Sequence, residues 1–498
     1  MSRMRAMDAA FLAMERPAEP RHLGSLTIFG PGPDGPLTYD VVRALVEQRL
    51  ALIASARRVV VETPLGLGRP SWGRAHGFDL EFHLRLDAVA APGGSRELAD
   101  LVAHAHAIPL DRSRPLWELW FIEGLADGRV ALYAKVHMAA IDDVTGAEVM
   151  TALLDTDPDG ARREVQPPAE VRPDPPLVRL LGAPADQLRQ AAGFPKRLAN
   201  RALANVGAQL DVVGDTIVET IHRTPGLDGV ARLLPTPVDG EVLEERSTGR
   251  APRVSWNAPV TGHCRFAMAR LPLADIIEIK RAAGTTVNDV VVAVCAGALR
   301  HWLDDHHELP MSPLVAMVPM LVGATDGRHD AHVAGLVVPL PTNIADPRER
   351  LSRTSRALAA AKRRRVAVPA SMMQDVSMFA PPALSALAGR LVGALPHRSL
   401  ASPTVNLAIT NVPGSRQQMY LAGRPLEVSY PVLTINELSP LHIGLQSGPG
   451  VIGVGGLVCR DTMTDLDALL ERLPVELGEL GRATGVRASR STRNRRSP

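Results

Sequence analysis

The sequence has little cysteine, and its few cysteines are widely spaced. Cys264, Cys295 and Cys459 are the three in 498 residues, and they form no C-x-x-C pair. Neither a zinc ribbon nor a disulfide framework is therefore indicated. The low cysteine content fits a reducing, cytoplasmic setting.

An excess of one charge sign and long apolar runs are also missing. The 55 basic and 53 acidic side chains leave a formal net charge of +2, too small for nucleic-acid binding through the whole surface. The longest apolar runs, such as residues 290–296, are far shorter than the about 18 residues of a transmembrane helix. Because the N-terminus also lacks the apolar region of a secretion signal, we expect a chain that neither spans a membrane nor is secreted.

The chain contains two similar mixed regions, separated by a segment of different composition. Strand-like runs and helix-like segments alternate in residues 1–157 and again in residues 255–480, which predicts a layered α/β or α+β architecture. Residues 158–254 begin with a proline-rich stretch and continue with apolar residues at helical spacing over 185–222, which predicts a linker with an amphipathic helix. Residues 481–498 carry six arginines in a polar background and are expected to form a basic disordered tail.

The amphipathic segment and the basic tail each leave two alternatives open. The apolar face of 185–222 can pack on the protein core or rest on a lipid surface. The tail can be solvated or attracted to anionic headgroups, with about 1 kcal/mol for each arginine near the surface. The sequence is thus compatible with a cytoplasmic protein that has peripheral contact with a membrane or a lipid droplet.

Several common catalytic signatures are absent. The chain has no G-x-S-x-G elbow, no P-loop and no H-E-x-x-H. The neighbouring pairs His104/His106 and His306/His307 lack the further ligands that a metal site requires. The glycines between residues 450 and 456 lie in a strand-like run without a following helix, which argues against a dinucleotide fold. We expect no metal and no tightly bound cofactor.

Six short motifs in a fixed order carry most of the functional information. They are MDAAFL at 7–12, PLWE at 115–118, ND with GALR at 288–300, LPT with DP at 340–347, NVPG at 411–414 and YP at 430–431. Together with KVHMAAIDDVTG at 135–146, they resemble the bacterial wax ester synthase/acyl-CoA:diacylglycerol acyltransferase family. That family is similar to the wider group of CoA-dependent acyltransferases that includes chloramphenicol acetyltransferase and peptide-synthetase condensation domains.

The resemblance implies a fold and an activity. The fold would be α/β (α+β), with two chloramphenicol-acetyltransferase-like lobes and an inter-lobe tunnel. Acyl-CoA and a hydrophobic acceptor, either diacylglycerol or a long-chain alcohol, would meet there at a His-His-x-x-x-Asp-Gly loop, where the second His takes the proton of the attacking hydroxyl. Because only 17 residues are aromatic, aliphatic and Met side chains would line the tunnel.

This chain departs from the family at that loop. His137 matches the first His and Asp142 the Asp, whereas Met138 stands where the catalytic His belongs and Asp143 replaces the Gly. Sliding the register by one residue would place Ile141 at the Asp position, so it does not restore the motif. A thioether cannot accept a proton near neutral pH. Met138 therefore fits the lining of an apolar tunnel, and the usual base is missing.

Three further departures lie in the second region. Met320-Leu-Val-Gly323 replaces the family's serine- and arginine-bearing stretch after Val-Pro. Thr410 stands where the family has a Ser before NVPG, and a late Ser-Tyr element reads Ser447-Gly448. The scaffold motifs survive, while several motifs near the reacting centre are altered.

Three interpretations follow from the missing base. In the first, the protein is a working O-acyltransferase in which His137, or a His of the other lobe such as His442, takes over. In the second, it is a catalytically silent relative that binds acyl-CoA or neutral lipid as a carrier or partner. In the third, it transfers acyl groups to a different acceptor, as the condensation-domain relatives do. His137 also has a structural alternative, as a buried His hydrogen-bonded to the backbone.

Four residues outside the loop are predicted to shape the tunnel. Asn288 and Asp289 begin an apolar helix-like run and have the residue types of helix N-caps. Asn411 and Gly414 belong to a turn after a strand, which borders the inter-lobe site in the family. Asp142 is expected to hold its loop in place rather than to react.

Overall fold

The computed structural model of the chain describes most of both mixed regions. The described residues are 2–32, 35, 37–50, 54–63, 69–75, 77–141, 152–159, 251–322, 332–365, 403, 405–437 and 439–486. The amphipathic segment expected at 185–222, the residues Asp142 and Asp143, and the tail beyond residue 486 lie outside them.

The first region contains seven described strands and four α-helices. Its strands are β1 (Ser2–Arg3), β2 (His22–Phe29), β3 (Arg58–Val61), β4 (Ser71–Arg74), β5 (Leu84–Ala88), β6 (Trp117–Glu123) and β7 (Val130–His137). Its helices are α1 (Ala6–Met14), α2 (Tyr39–Arg49), α3 (Leu80–His83) and α4 (Ser95–Ala107), with 3-10 turns at Ala54–Arg57, Ala126–Gly128 and Met138–Ala140.

The second region contains eight described strands and four α-helices. Its strands are β8 (Cys264–Pro272), β9 (Leu314–Val322), β10 (His332–Leu340), β11 (Leu407–Val412), β12 (Tyr420–Leu421), β13 (Arg424–Val432), β14 (Leu441–Ser447) and β15 (Val451–Cys459). Its helices are α5 (Leu273–Ala283), α6 (Val287–Asp305), α7 (Pro347–Arg365) and α8 (Leu466–Ala483).

A six-stranded sheet of order β12-β13-β2-β7-β6-β5 forms the centre of the first lobe. Helix α2 packs on one face through Val42 and Val46, and α4 packs on the other through Leu98 and Val102. In both helices the apolar residues recur at four-residue spacing, which places them on one side of the helix. A small sheet of order β1-β4-β3 completes the described part of this lobe.

A second six-stranded sheet, of order β10-β9-β11-β14-β15-β8, forms the other lobe. The helices α5, α6, α7 and α8 contribute to the hydrophobic core on one of its faces. The run from Val290 to Leu299 in α6 is buried on every side, which explains why its apolar residues are continuous rather than periodic. The opposite face of the sheet is turned towards the first lobe.

The second region contributes two strands, β12 and β13, to the sheet of the first lobe. Strand β13 follows β11 in the chain but pairs antiparallel with β2 of the first sheet. Where it passes β15, a Cβ at Gly453 or Gly455 would lie 2.1 Å from the carbonyl oxygens of Ser429 and Pro431, respectively. These glycines in a strand are thus required by a close backbone approach between the lobes.

The structure differs in two places from the domain boundaries expected from the sequence. Residues 420–432 lie within the region 255–480 but belong to the first sheet, and α8 continues to Ala483, past the expected start of the tail at 481. Hydrophobic patterning marks a strand but does not identify its partner, so the crossing was not visible in the sequence.

No single helix in the described ranges is long and apolar enough to span a membrane. Taken together, α5 and α6 have the length and apolar composition of a membrane span, but the pair is bent by 104°. Most of α6 is packed inside the core of the second lobe.

Candidate active site

Strand β7 ends at His137, the first histidine of the family loop. The ring is fully buried, and its Nδ1 accepts a hydrogen bond of 3.0 Å from the backbone N–H of Ala139. A neutral imidazole that accepts at Nδ1 carries its proton on Nε2, and that atom lies 3.4 Å from Oε1 of Glu15. Both ring nitrogens therefore face protein atoms, which is the structural alternative expected for His137.

Glu15, which follows α1, is fixed by charged and polar partners. Arg112 contacts its carboxylate at 2.6 Å, and the backbone N–H of Arg21 donates to it at 3.3 Å. Burial raises the pKa of Glu15, but the close His137 ring and the Arg112 guanidinium more than offset this and lower the pKa to about 2. Glu15 is therefore ionised at neutral pH and ties the end of α1 to the end of β7.

Lys135, two residues before His137, is a fully buried cation on the same strand. Its Nζ lies 3.0 Å from Glu118 and donates to the carbonyl groups of Ala105 and Ile108. Arg85 contacts the other oxygen of Glu118 at 3.1 Å. Because a buried ammonium group is costly without such partners, the Glu of the PLWE motif serves the sheet as a counter-ion.

A group of neutral histidines lies beside this ion pair. His22 is the cross-strand partner of His137, its Nε2 donates to the carbonyl of His106, and Nδ1 of His106 lies 2.6 Å from the hydroxyl of Tyr133. Burial lowers the pKa of His22 well below its usual value, and burial together with the charge of Lys135 lowers that of His106 to about 3. Neither ring is therefore a cation at neutral pH.

Met138 occupies the position of the family's catalytic His. It is half-buried, and its backbone N–H donates to the carbonyl of Arg21 at 2.8 Å. Its thioether offers no proton acceptor of useful basicity. Because Asp142 and Asp143 lie outside the described residues, the expected role of Asp142 in holding the loop stays a prediction.

On the second sheet, Thr410 of β11 and His442 of β14 form a hydrogen-bonded pair. Oγ1 of Thr410 lies 2.7 Å from Nε2 of His442, and Nδ1 of His442 lies 3.0 Å from the carbonyl oxygen of Thr434. Since a carbonyl can only accept, Nδ1 carries the proton and Nε2 accepts from the Thr410 hydroxyl. Burial lowers the pKa of His442 to about 4, although the Thr434 carbonyl opposes this effect. The ring is therefore neutral at neutral pH.

The segment before β2 connects these two groups of residues. The carbonyl of Arg21 accepts from Met138, and the carbonyl of the preceding Pro20 accepts from the hydroxyl of Thr434 at 2.9 Å. Thr434 in turn offers its own carbonyl to His442. We call this junction the inter-lobe seam and define it by His137, Met138, Thr410, Thr434 and His442.

Three of the predicted tunnel residues gather at the end of β11. Nδ2 of Asn411 lies 3.5 Å from Oδ1 of Asn288, and the backbone N–H of Gly414 donates to Oγ of Ser447 at 3.1 Å. A Cβ at Gly414 would lie 1.9 Å from the carbonyl oxygen of Ser447, so a side chain does not fit there. Nδ2 of Asn288 is buried without a hydrogen-bond partner within the described ranges, which leaves its two N–H donors available at this point.

The expectation that Asn288 and Asp289 are N-caps of α6 was wrong by two to three residues. The N-cap is Thr286, whose Oγ1 accepts from the N–H of Asp289 at 3.1 Å, while the Asp289 carboxylate accepts from the N–H of Thr286 at 2.9 Å. This reciprocal pair is a capping box. Ser355 also donates to Asp289, at 3.1 Å, so Asp289 stabilises the helix end while Asn288 contacts Asn411.

One cluster of His and Glu side chains in the second lobe has the composition of a metal site. Ligand atoms of His301, Glu476 and Glu479 lie within 4.8 Å of one another. However, Arg350 contacts Glu476 at 2.9 Å, and Arg472 contacts Glu476 and Glu479 at 3.1 and 3.2 Å. The two guanidinium groups already neutralise these carboxylates, so the cluster is explained as an ion-pair network between helices.

Two residues at or beside the inter-lobe seam carried no signal in the sequence. Glu15 and Thr434 contribute through contacts between segments that are distant in the chain. Thr434 lies in a coil segment, since no strand covers residues 433–435. A hydrogen-bonding Thr or Glu is too common a residue for its position alone to reveal such a role.

The structure has two six-stranded sheets with a polar seam between them, and the second region contributes strands to the sheet of the first lobe. This arrangement defines a two-lobed fold of the chloramphenicol-acetyltransferase type. The first condensation domain of the calcium-dependent antibiotic synthetase has the same fold, with a TM-score of 0.52, 18% identity, and coverage of 97% of this chain and 96% of that chain. The expected α/β (α+β) fold with two chloramphenicol-acetyltransferase-like lobes is therefore confirmed.

The chain belongs to the wax ester synthase/diacylglycerol acyltransferase family. The family's catalytic-domain profile matches residues 4–291, and the C-terminal-domain profile matches residues 331–481. A putative diacylglycerol O-acyltransferase of Mycobacterium tuberculosis is 33% identical over 484 residues, which cover 96% of this chain and 90% of that protein. The structure of the wax ester synthase/diacylglycerol acyltransferase from Marinobacter aquaeolei VT8 is 28% identical, with a TM-score of 0.68 and coverage of 98% and 100%.

Proposed function

We propose that the protein transfers a long-chain acyl group from acyl-CoA to the hydroxyl of diacylglycerol or of a long-chain alcohol. The products would be a triacylglycerol or a wax ester. The observation that carries this proposal is the similarity to the family through both lobes, from residue 4 to residue 481. A probable diacylglycerol O-acyltransferase of Mycobacterium tuberculosis, 31% identical over 98% of this chain and 100% of its own length, supports it further.

The chemistry of this transfer needs binding, orientation and one proton acceptor. The thioester of acyl-CoA is already activated, and its thiolate leaves readily. The neutral hydroxyl of the acceptor is a poor nucleophile, and a positioned base typically accelerates its attack by roughly 10²–10⁴. Acyl-CoA supplies the activated group itself, so the proposed reaction requires no further cofactor.

Each predicted site residue has a role in this proposal. Met138 lines the path of the acyl chain. His137 holds the end of β7 through Glu15 and Ala139, and Asp142 holds the loop that follows. The second lobe shapes the tunnel through Asn288, Asp289, Asn411 and Gly414.

The acceptor's hydrophobicity suggests where the protein works. Diacylglycerol and long-chain alcohols reside in lipid phases, so access to them is easiest for a cytoplasmic protein at a membrane or a lipid droplet. The arginine-rich tail at 481–498 and the amphipathic pattern at 185–222 are the sequence features that support such peripheral contact.

One observation favours a second function, the binding of acyl-CoA or neutral lipid without turnover. Met138 cannot act as a base, and the Nδ1 lone pair of His137 is occupied by the N–H of Ala139. A protein of the family that lacks any proton acceptor at the reacting centre would retain its binding sites and lose its catalysis.

The experiment that separates the two functions measures the release of free CoA from palmitoyl-CoA. The purified protein is supplied with diacylglycerol or hexadecanol and is compared with a reaction without enzyme and with Met138→His. Acceptor-dependent CoA release by the unaltered protein supports the transferase. Binding of palmitoyl-CoA without release, together with activity in Met138→His, would establish the silent binder instead.

A further inference from the structure

We propose that Thr410 and His442 together form the proton acceptor of this enzyme and replace the histidine that Met138 displaced. This inference rests on the proposed acyl transfer. In it, the Thr410 hydroxyl contacts the acceptor's hydroxyl, and the imidazole of His442 takes the proton. No residue of the His-His-x-x-x-Asp-Gly loop takes part in this transfer.

The hydrogen-bond directions at His442 carry the proposal. Because the carbonyl of Thr434 accepts from Nδ1 at 3.0 Å, the free lone pair of the ring is on Nε2. That lone pair is 2.7 Å from Oγ1 of Thr410, a short distance for a hydroxyl donor. A hydroxyl that donates its proton still has two lone pairs, so Oγ1 of Thr410 can accept a second hydroxyl.

The pair also lies on the correct side of its sheet. In β11 and β14, Leu407, Ile409, Leu441 and Ile443 point into the core formed with the helices. Side chains alternate along a strand, so Thr410 and His442 lie on the other face, towards the first lobe. His442 there contacts Thr434, which is bonded to Pro20 beside the segment that holds Met138.

The surroundings of His442 are neutral. Its described contacts are the Thr410 hydroxyl, the Thr434 carbonyl and the two neighbouring strands, in which Ala408 and Leu457 are its register partners. Burial is the main cause of its lowered pKa, and no charged side chain is among the causes. The imidazole is therefore a weak base that stays unprotonated throughout the neutral range, which predicts slow but pH-insensitive catalysis.

The transfer is balanced as follows. The acceptor's oxygen forms a bond with the thioester carbonyl carbon, its proton moves to Oγ1 of Thr410, and the Thr410 proton moves to Nε2 of His442. When the carbon–sulfur bond breaks, the thiolate leaves and the same two steps in reverse return the proton to it. The products are the ester and CoA, and both side chains regain their starting state.

The test compares His442→Gln and Thr410→Val with the unaltered protein by acceptor-dependent CoA release. A Gln can still donate to Thr434 but cannot accept a proton, and Val is nearly isosteric with Thr but lacks the hydroxyl. We expect kcat to fall by roughly 10² in each variant, with palmitoyl-CoA binding and the thermal unfolding midpoint nearly unchanged. Thr410→Ser restores the hydroxyl and should restore most of the activity.

A pH profile gives a readout that a merely structural role would not change. An ordinary imidazole base, with a pKa near about 6.5, loses about tenfold in kcat/KM at one pH unit below that value. With His442 as the base, kcat/KM of the unaltered protein stays constant over this range, while circular dichroism confirms that the protein is folded. In the double variant His442→Gln/Met138→His, activity returns. Its kcat/KM now decreases as the pH is lowered, by the tenfold expected of an ordinary histidine.

The possible outcomes distinguish this inference from the proposed function. Activity that survives both His442→Gln and Thr410→Val, or an unaltered protein that shows the ordinary histidine profile, overturns the inference and leaves the acyltransferase standing. An unaltered protein without acceptor-dependent CoA release overturns both. The control variant is His263→Ala, because this histidine has a side chain that is 68% exposed and should not change kcat.

Discussion

The two histidines of the inter-lobe seam have opposite hydrogen-bond patterns. At His137, the backbone N–H of Ala139 occupies the lone pair of Nδ1, and the proton on Nε2 faces the carboxylate of Glu15. At His442, the backbone carbonyl of Thr434 takes the Nδ1 proton, and the lone pair of Nε2 faces a hydroxyl. One ring is therefore a structural link, and the other has a lone pair directed at an exchangeable proton.

This difference shows that a histidine at the inter-lobe seam is not by itself a base. His137 retains the family's residue and has no lone pair to offer, whereas His442 lies outside the motif and has one. The nearest backbone group decides between the two cases, because an N–H and a carbonyl select opposite tautomers of the same side chain.

The largest effect on stability is expected for His137→Ala. The change removes the acceptor of the Ala139 N–H and one of the contacts of Glu15, and a buried donor left without its acceptor is costly. We expect the free energy of unfolding, measured with urea, to decrease by about 3 kcal/mol. The CoA-release rate per folded molecule should remain within a factor of about two, in contrast to the loss expected for His442→Gln.

His104→Ala is the matched control, because His104 is exposed on α4 and should change stability by less than about 0.5 kcal/mol. A stable but inactive His137→Ala variant would reverse the comparison and assign the catalytic role to His137.

The second prediction concerns Glu15→Gln and its dependence on pH. The folded-state pKa of Glu15 is lowered to about 2, below that of the same group in the unfolded chain. The carboxylate therefore contributes its full stabilisation above the unfolded pKa and loses it as the pH decreases towards 2. We expect the variant to be less stable by about 2 kcal/mol at neutral pH, with a difference that diminishes below about pH 4.5. Urea unfolding at several pH values measures it, and a difference independent of pH would contradict the assignment.

The sequence predicted the two lobes and the family but only part of the seam. Motifs such as those at 115–118 and 411–414 are continuous in the chain, so they can be recognised without a structure. The hydroxyl of Thr434 contacts Pro20, and the carboxylate of Glu15 contacts Arg112 and His137. These partners are distant in the chain, so neither residue has a local pattern. In the sequence, His442 was only one candidate for a replacement base. Its tautomer is set by the Thr434 carbonyl. Thr434 lies in a coil segment directly after β13, and the position of β13 in the first sheet was not visible in the sequence.

The third prediction is that Met138→His increases activity. A histidine at this position would add a second base of ordinary pKa to the same seam. We expect CoA release to increase about tenfold, which corresponds to about 1.4 kcal/mol of transition-state stabilisation. Its pH profile should acquire the decrease of an ordinary histidine. Met138→Leu, which keeps the apolar side chain, serves as the control and should leave the rate unchanged.

The smallest effect is expected at a distance from both histidines, for Thr286→Ala. The loss of this N-cap should cost about 1 kcal/mol in the free energy of unfolding, as for other Thr caps. Because Asn288 lies two residues further on and contacts Asn411, the variant also tests whether the start of α6 positions substrate. If the seam alone governs catalysis, KM for palmitoyl-CoA and kcat stay unchanged in Thr286→Ala. An increase in KM without a change in kcat would show that the start of α6 contributes to binding of acyl-CoA. The comparison of the two histidines would then describe proton transfer only.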